Sequence, residues 1–319
     1  MATLLESALH VLWDDVTDQG NYPHSRPLWG HYTSVATLEK ILQGDELWFS
    51  NPLYMNDYEE LRYGMNTGAS EFRTHRGLIE ACGSARVHAK LVESFDELFH
   101  RFDTEHALDT YVLCLTEHDP QNNDGVLSMW RGYGANGGGV ALVFDASKLP
   151  AVEDSPFIVS KVQYANHPTR LQWIDNKLSA LAEVLRASAP SDDDLHQVAH
   201  AWIERLKLFA LFTKHDGFSE EKEWRIVYFP DRDRDRSLTQ MLGYAVTPKG
   251  VEPKLRVRLK ELPGSTAQGL SLESLIERII LGPSLSTVLA AGSLRRMLEL
   301  NGRHTLAQKI LPSSIPYRP

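Results

Sequence analysis

Gly217-Phe218-Ser219-Glu220-Glu221-Lys222-Glu223-Trp224-Arg225-Ile226-Val227-Tyr228-Phe229 is the stretch around which the rest of the chain is organised. Its second half is rich in aromatic and β-branched residues and is closed by Pro230-Asp231, which predicts a strand. Side chains alternate along a strand, so Glu221, Glu223 and Arg225 share one face while Trp224, Ile226 and Tyr228 share the other. Two carboxylates and a guanidinium entering an apolar strand are costly to bury without partners. Two explanations compete. One is a surface edge on which Arg225 simply pairs Glu223, an individually weak contact; the other is a site where the charges do chemistry.

Outward from this strand, further strands are predicted at 28–32, 46–50, 111–116, 140–144, 157–164, 254–260, 276–281 and 305–311. Helices are predicted at 4–16, 35–42 (capped by Thr33 or Ser34 and stopped by Gly44), 69–102, 126–133, 168–187, 195–212 and 287–300. Another helix begins near Asp57, where Glu60 has the capping-box spacing; Asn56 and Glu59 exceed what that cap requires. Gly137-Gly138-Gly139 precedes a strand, whereas a phosphate-binding loop follows a strand and opens a helix. Lys254 to Lys260 alternates basic and apolar residues, as a strand near an edge or over a groove would. Strands and helices alternate irregularly and no repeat is visible. The expectation is a single α+β domain over 1–319, with a mostly antiparallel sheet and a helical insertion at about 168–213.

With 42% hydrophobic and 24% charged residues, the 319-residue chain has the balance of a globular protein with a real core. A formal charge of -9 argues against a broad basic face that coats nucleic acid, but not against a local basic groove. Cys82 and Cys114 form neither a disulfide framework nor a metal-type spacing, which predicts a reducing compartment. Met1 to Val16 has no basic n-region, and no apolar run reaches bilayer length. A cytoplasmic protein with no membrane partner is expected.

Several stretches together resemble one bacterial family of unknown function. They are Leu28 to Ser34 (L-W-G-H-Y-T-S), Leu47 to Glu59 (L-W-F-S-N-P-L-Y-M-N-D-Y-E), Cys114 to Glu117, and Met129-Trp130-Arg131-Gly132-Tyr133. Glu221 to Arg225 (E-K-E-W-R), Ile279 to Pro283 and Ser314 to Arg318 complete the set. More remotely, the chain is similar to the ADP-ribosyltransferase fold. That fold carries His or Arg on its first strand, Ser, Thr or Tyr on a following strand, and a catalytic Glu, often in Glu-x-Glu, on a late one. The matching positions are His31, Ser50 and Glu221-x-Glu223.

The resemblance implies NAD as a consumed substrate, with Glu223 and Glu221 catalytic. It implies that His31, Tyr32, Ser50, Asn51, Asn56, Trp130, Tyr133 and Arg225 surround the dinucleotide, Tyr32 or Trp130 stacking on the nicotinamide. Breaking the nicotinamide–ribose bond develops oxocarbenium character, which a nearby carboxylate stabilises. The implied protein is a toxin or antiviral defence effector that modifies a protein or nucleic acid, with an antitoxin or regulatory partner. Two other classes stand beside it. Asp216, Glu220 and Lys222 resemble the acid and E-x-K of metal-dependent nucleases, although only a few residues separate them where adjacent strands are needed. A non-catalytic sensor or interaction module would use the same aromatics as core.

Overall fold

The computed structural model describes residues 2–16, 28–55, 58–149, 155–247, 250–262 and 269–317, and side chains at 58–60 and 106 fall outside that description. The chain divides into two units, one of residues 1–20, 52–110 and 162–219 and one of residues 21–51, 111–161 and 220–319. The helices predicted as an insertion at about 168–213 thus share a unit with the helices of 58–109.

Twelve strands are described: β1 (Leu28–Thr33), β2 (Glu46–Ser50), β3 (Tyr111–His118), β4 (Val140–Asp145), β5 (Phe157–Lys161), β6 (Gln163–Tyr164), β7 (Thr213–Lys214), β8 (Glu223–Tyr228), β9 (Leu242–Thr247), β10 (Gly250–Arg258), β11 (Ile276–Leu281) and β12 (Ile310–Pro312). Ten of them form one sheet in the second unit, in the order β12-β11-β4-β1-β3-β2-β10-β9, with β8 on β3 and β5 on β8. All its ladders are antiparallel except β11–β12. The fold is therefore mixed α and β around a mostly antiparallel sheet.

The sheet branches at β3. Glu117 donates its backbone N–H to Lys222, so odd-numbered residues of β3 turn their backbone groups toward β8 and even-numbered ones toward the opposite edge. On that edge Thr116 pairs with Gly30 of β1, while Val112 pairs with Ser50 of β2. Cys114 lies between the two ladders, where the sheet changes partner.

One face of the sheet carries the main core, with Trp29, Leu113, Leu115, Leu142, Phe144, Ile226 and Leu255 packed beneath Leu38, Ile41 and Leu42 of the helix Val35–Gly44. Residues of alternate parity form the other face. There Leu28, Tyr32, Val143 and Ile280 pack with Met129 and Trp130 of the short helix Leu127–Gly132.

In the first unit the helices Leu4–Trp13, Tyr58–Thr74, Ala85–Arg101, His167–Arg186 and Asp192–Phe212 surround Phe72, Phe95 and Trp202. Helix Tyr58–Thr74 crosses Asp192–Phe212 closely at Gly68, where a Cβ would strike the Leu206 side chain. The single helix predicted over 69–102 is broken into Tyr58–Thr74, Arg76–Ala81 and Ala85–Arg101. The second break follows from Gly83 at φ +67° and Ser84, whose hydroxyl accepts from Val87 N–H, and the first falls at His75, whose ring accepts from Leu78 N–H. The strand predicted at 305–311 is a helical turn, His304–Ala307, and then the short parallel strand β12. The strand predicted at 157–164 divides, because β5 pairs with β8 while Gln163 and Tyr164 pair with Thr213 and Lys214.

Candidate active site

Strand alternation governs the site. Glu223 and Arg225 stand two residues apart on β8, opposite Thr116 and Cys114 of β3. Arg225 donates Nε to Glu223 Oε1 at 2.7 Å and Nη2 to Oε2 at 3.1 Å, a two-pronged pair whose members are only 4% and 5% exposed. The predicted strand and the pairing of its charges are both present, but the pair is buried rather than at a surface edge.

Glu221 precedes the strand, in the 3-10 turn Asp216–Glu221. Its carboxylate accepts from the Tyr133 hydroxyl at 2.9 Å, and its backbone carbonyl accepts from the Thr116 hydroxyl. Lys222, at φ +43°, turns the chain into β8. Glu221 therefore sits beside the strand instead of continuing its Glu223 face.

Ser50 shares the Glu223 face. It pairs with Val112, and Val112 pairs with Val227. Four residues of β8 and two strand spacings separate Ser50 from Glu223, roughly 17 Å between backbones. An extended dinucleotide spans that gap and a single sugar does not. The Ser50 hydroxyl accepts from Lys254 Nζ at 2.8 Å, and Lys254 also meets Glu252 at 3.1 Å. Lys254 was legible only as part of a basic strand; its place beside Ser50 follows from the β2–β10 register.

His31 departs from the expected arrangement. It pairs with Leu142 and so belongs, with Trp29, to the main-core parity opposite Glu223 and Ser50. Its ring fills the gap at the branch of the sheet, where Nδ1 meets the Cys114 carbonyl at 3.2 Å. A carbonyl only accepts, so Nδ1 carries the proton in the neutral ring. Burial pushes the His31 pKa down, the Cys114 carbonyl opposes this, and the Lys254 charge adds to the depression.

Tyr32 and Trp130 are corrected from nicotinamide platforms to core. Trp130 is fully buried, and the two rings meet edge to face at 4.8 Å. Trp130 Nε1 donates to the Asp124 carbonyl, while the Tyr32 oxygen accepts from Val126 N–H. Burial pushes the Tyr32 hydroxyl up to about 12, against that hydrogen bond. These aromatics fill the space beneath the helix. Tyr133, at the end of the same helix, is exposed. Asn51 is fully buried. Asn56 and Asp57 lie outside the described residues.

Asp216 and Glu220 lie in the one 3-10 turn that precedes β8, so the acid and E-x-K do not occupy neighbouring strands. Among the described residues no group of three His, Cys, Asp or Glu side chains is placed to hold a metal ion. Among the described helices none is long and apolar enough to cross a membrane.

Residues 129–226 match a family model described as a protein of unknown function (DUF2971), which supports the resemblance to a domain-of-unknown-function family. No curated protein and no solved structure matches the chain.

Proposed function

We propose that the protein is a NAD-consuming ADP-ribosyltransferase that modifies a protein or nucleic acid, and that Glu223 is its catalytic carboxylate. The observation that carries this reading is the shared sheet face of Glu223 and Ser50, separated by about the reach of an extended dinucleotide. Glu223 would stabilise the positive charge that develops on the ribose as the nicotinamide leaves with the bonding electron pair. Arg225 holds both oxygens of that carboxylate and acts as a positioning residue. His31 serves as a wedge at the sheet branch, while Lys254 and Ser50 supply a cation and a hydroxyl for the far end of the substrate.

A second reading, a non-catalytic interaction module, is favoured by one fact. Glu223 pairs with Arg225, Glu221 with Tyr133, Ser50 with Lys254 and His31 with Cys114, so each of these side chains already has a partner within the chain.

The deciding experiment incubates purified protein with labelled NAD and bacterial lysate and follows nicotinamide release and label transfer. The transferase releases nicotinamide without added Mg²⁺ and in the presence of chelator. Glu223→Gln, verified as folded by circular dichroism, lowers turnover roughly 10²- to 10³-fold. Wild-type protein that never releases nicotinamide, or a folded Glu223→Gln that releases it normally, removes the proposal.

A further inference from the structure

The sheet ends at β9, which among the described residues pairs only with β10. Its sequence, Leu242-Gly243-Tyr244-Ala245-Val246-Thr247, contains neither charge nor proline. Natural edge strands use those residues to block further pairing. Pro253 stands opposite Tyr244 and has no N–H to donate, which marks that pair as the one without cross-strand bonds. Leu242, Tyr244 and Val246 therefore direct their backbone N–H and C=O groups away from β10. On one face of this edge Tyr244, Val246 and Val251 form an apolar row, each more than three-fifths exposed at 64%, 66% and 63%.

Beside this edge lies a cavity of about 440 Å³, lined by Lys40, Trp48 and Arg256 together with Tyr244, Ala245 and Val246 of β9 itself. Arg256 and Trp48 share the parity of Ala245, opposite to Tyr244 and Val246. The Arg256 guanidinium and the Lys40 ammonium lie 5.3 and 5.9 Å from the centre of the Trp48 ring. Buried Glu46 accepts from Arg256 Nε at 2.7 Å and from Trp48 Nε1 at 2.8 Å. Lys40 and Arg256 are the charged residues that line this cavity, and with Glu46 taken up by Arg256 they leave it locally positive in a chain whose formal charge is -9.

We propose that β9 is a docking edge for an extended segment of a partner protein. The segment adds as a strand, lays apolar side chains beside Tyr244 and Val246, and places acidic side chains at the alternate positions against Lys40 and Arg256. A second copy of this chain fits less well. Antiparallel pairing of β9 with itself requires a two-fold axis perpendicular to the sheet, which matches like faces. The copy would then offer Gly243, Ala245 and Thr247 to the cavity, side chains that are small and uncharged. A six-residue strand alone also buries far less than the roughly 800 Å² per partner of a standard interface. This inference stands apart from the enzymatic reading.

The test uses the whole chain and a fluorescein-labelled peptide alternating valine or tyrosine with glutamate, against the same peptide with lysine for glutamate. Anisotropy should show the glutamate peptide binding at least about tenfold tighter at low salt. Lys40→Glu should reverse that preference. Val246→Pro removes one outward N–H without touching the β10 ladder, and should weaken the glutamate peptide at least about tenfold with circular dichroism unchanged. Equal binding of both peptides, or no saturable binding of the glutamate peptide, overturns the proposal. So does light scattering that finds a wild-type dimer which Val246→Pro dissociates, since the edge then belongs to a second copy.

Discussion

Carboxylates meet cations in both units, by different routes. In the sheet unit, Arg225 reaches Glu223 two residues back along one strand, and both are almost fully buried. In the helical unit, Asp15 follows the first helix and is held from two distant ones. Arg205 Nη2 meets both its oxygens at 3.0 Å, Lys177 Nζ lies at 2.9 Å, and Trp173 Nε1 donates at 2.7 Å. Arg205 and Lys177 also donate to the carbonyls of Leu12 and Val11 at the end of that helix. The Asp15 side chain remains 38% exposed. A strand can neutralise its own buried charge, whereas a helix terminus needs the tertiary fold to bring cations to it. The two sites should answer differently to loss of a partner.

The largest effect is expected at β8. Arg225→Met leaves the Glu223 carboxylate buried without its guanidinium, and breaking such a pair costs about 3–5 kcal/mol. Urea unfolding should show this loss, and replacing Glu223 with Leu in the same protein should recover most of it. A loss near 1 kcal/mol would mean that the strand pair behaves as a surface bridge and would break the comparison.

The same contrast explains what was legible in the sequence. The strand character of 223–228 and the shared face of Glu223 and Arg225 depend on neighbours two residues apart, so alternation revealed them. Which face His31 takes depends on the pairing of Gly30 with Thr116, a register set by tertiary structure. Likewise, Trp130 and Tyr133 share a motif, but only the packing of Tyr32 and Val143 against the helix makes the first of them core. Lys254 was visible within its basic strand, yet its contact with Ser50 spans 204 positions and left no local signal. The broken helix is the reverse case, since Gly83-Ser84 was a readable stop and start within an otherwise apolar periodicity.

A smaller, pH-dependent effect is expected at Asp15. Burial alone would raise its pKa, but the bonds from Trp173, Lys177 and Arg205 outweigh that and hold it at about 2, below the ordinary 3.8. A depressed carboxylate contributes stability that is full above its unfolded pKa and is lost as pH falls through the folded one. The contribution of Asp15 should therefore be present above about pH 4 and vanish toward pH 2. After solvent screening it amounts to about 1 kcal/mol. Comparing the melting of wild type and Asp15→Asn across pH 2–6 checks this, because the difference between them should shrink as the pH drops. A difference independent of pH would assign the role of Asp15 to hydrogen bonding alone.

The smallest expected effect, that of Lys260→Ala, sharpens the comparison at a single carboxylate. Asp45 ends the helix Val35–Gly44 in a left-handed conformation, at φ 53°, and takes two cations. Lys260 Nζ lies 2.6 Å from Oδ2 on a side chain that is mostly in solvent. Arg303 Nη2 lies 2.9 Å from Oδ1 and 2.9 Å from the Leu42 carbonyl, on a side chain that is largely covered. The exposed partner is screened and loses conformational freedom by pairing, so Lys260→Ala should change stability by no more than about 0.5 kcal/mol. Arg303 bonds a helix-terminal carbonyl as well as the acid, and Arg303→Ala should cost about 1–3 kcal/mol. Both variants can be measured by the same urea titration, with the slope of the transition as the control for altered unfolding. If the two changes were equal, proximity to the acid would set the energy. A larger loss for Arg303 makes burial and the second acceptor decisive, as the contrast between β8 and the first helix requires.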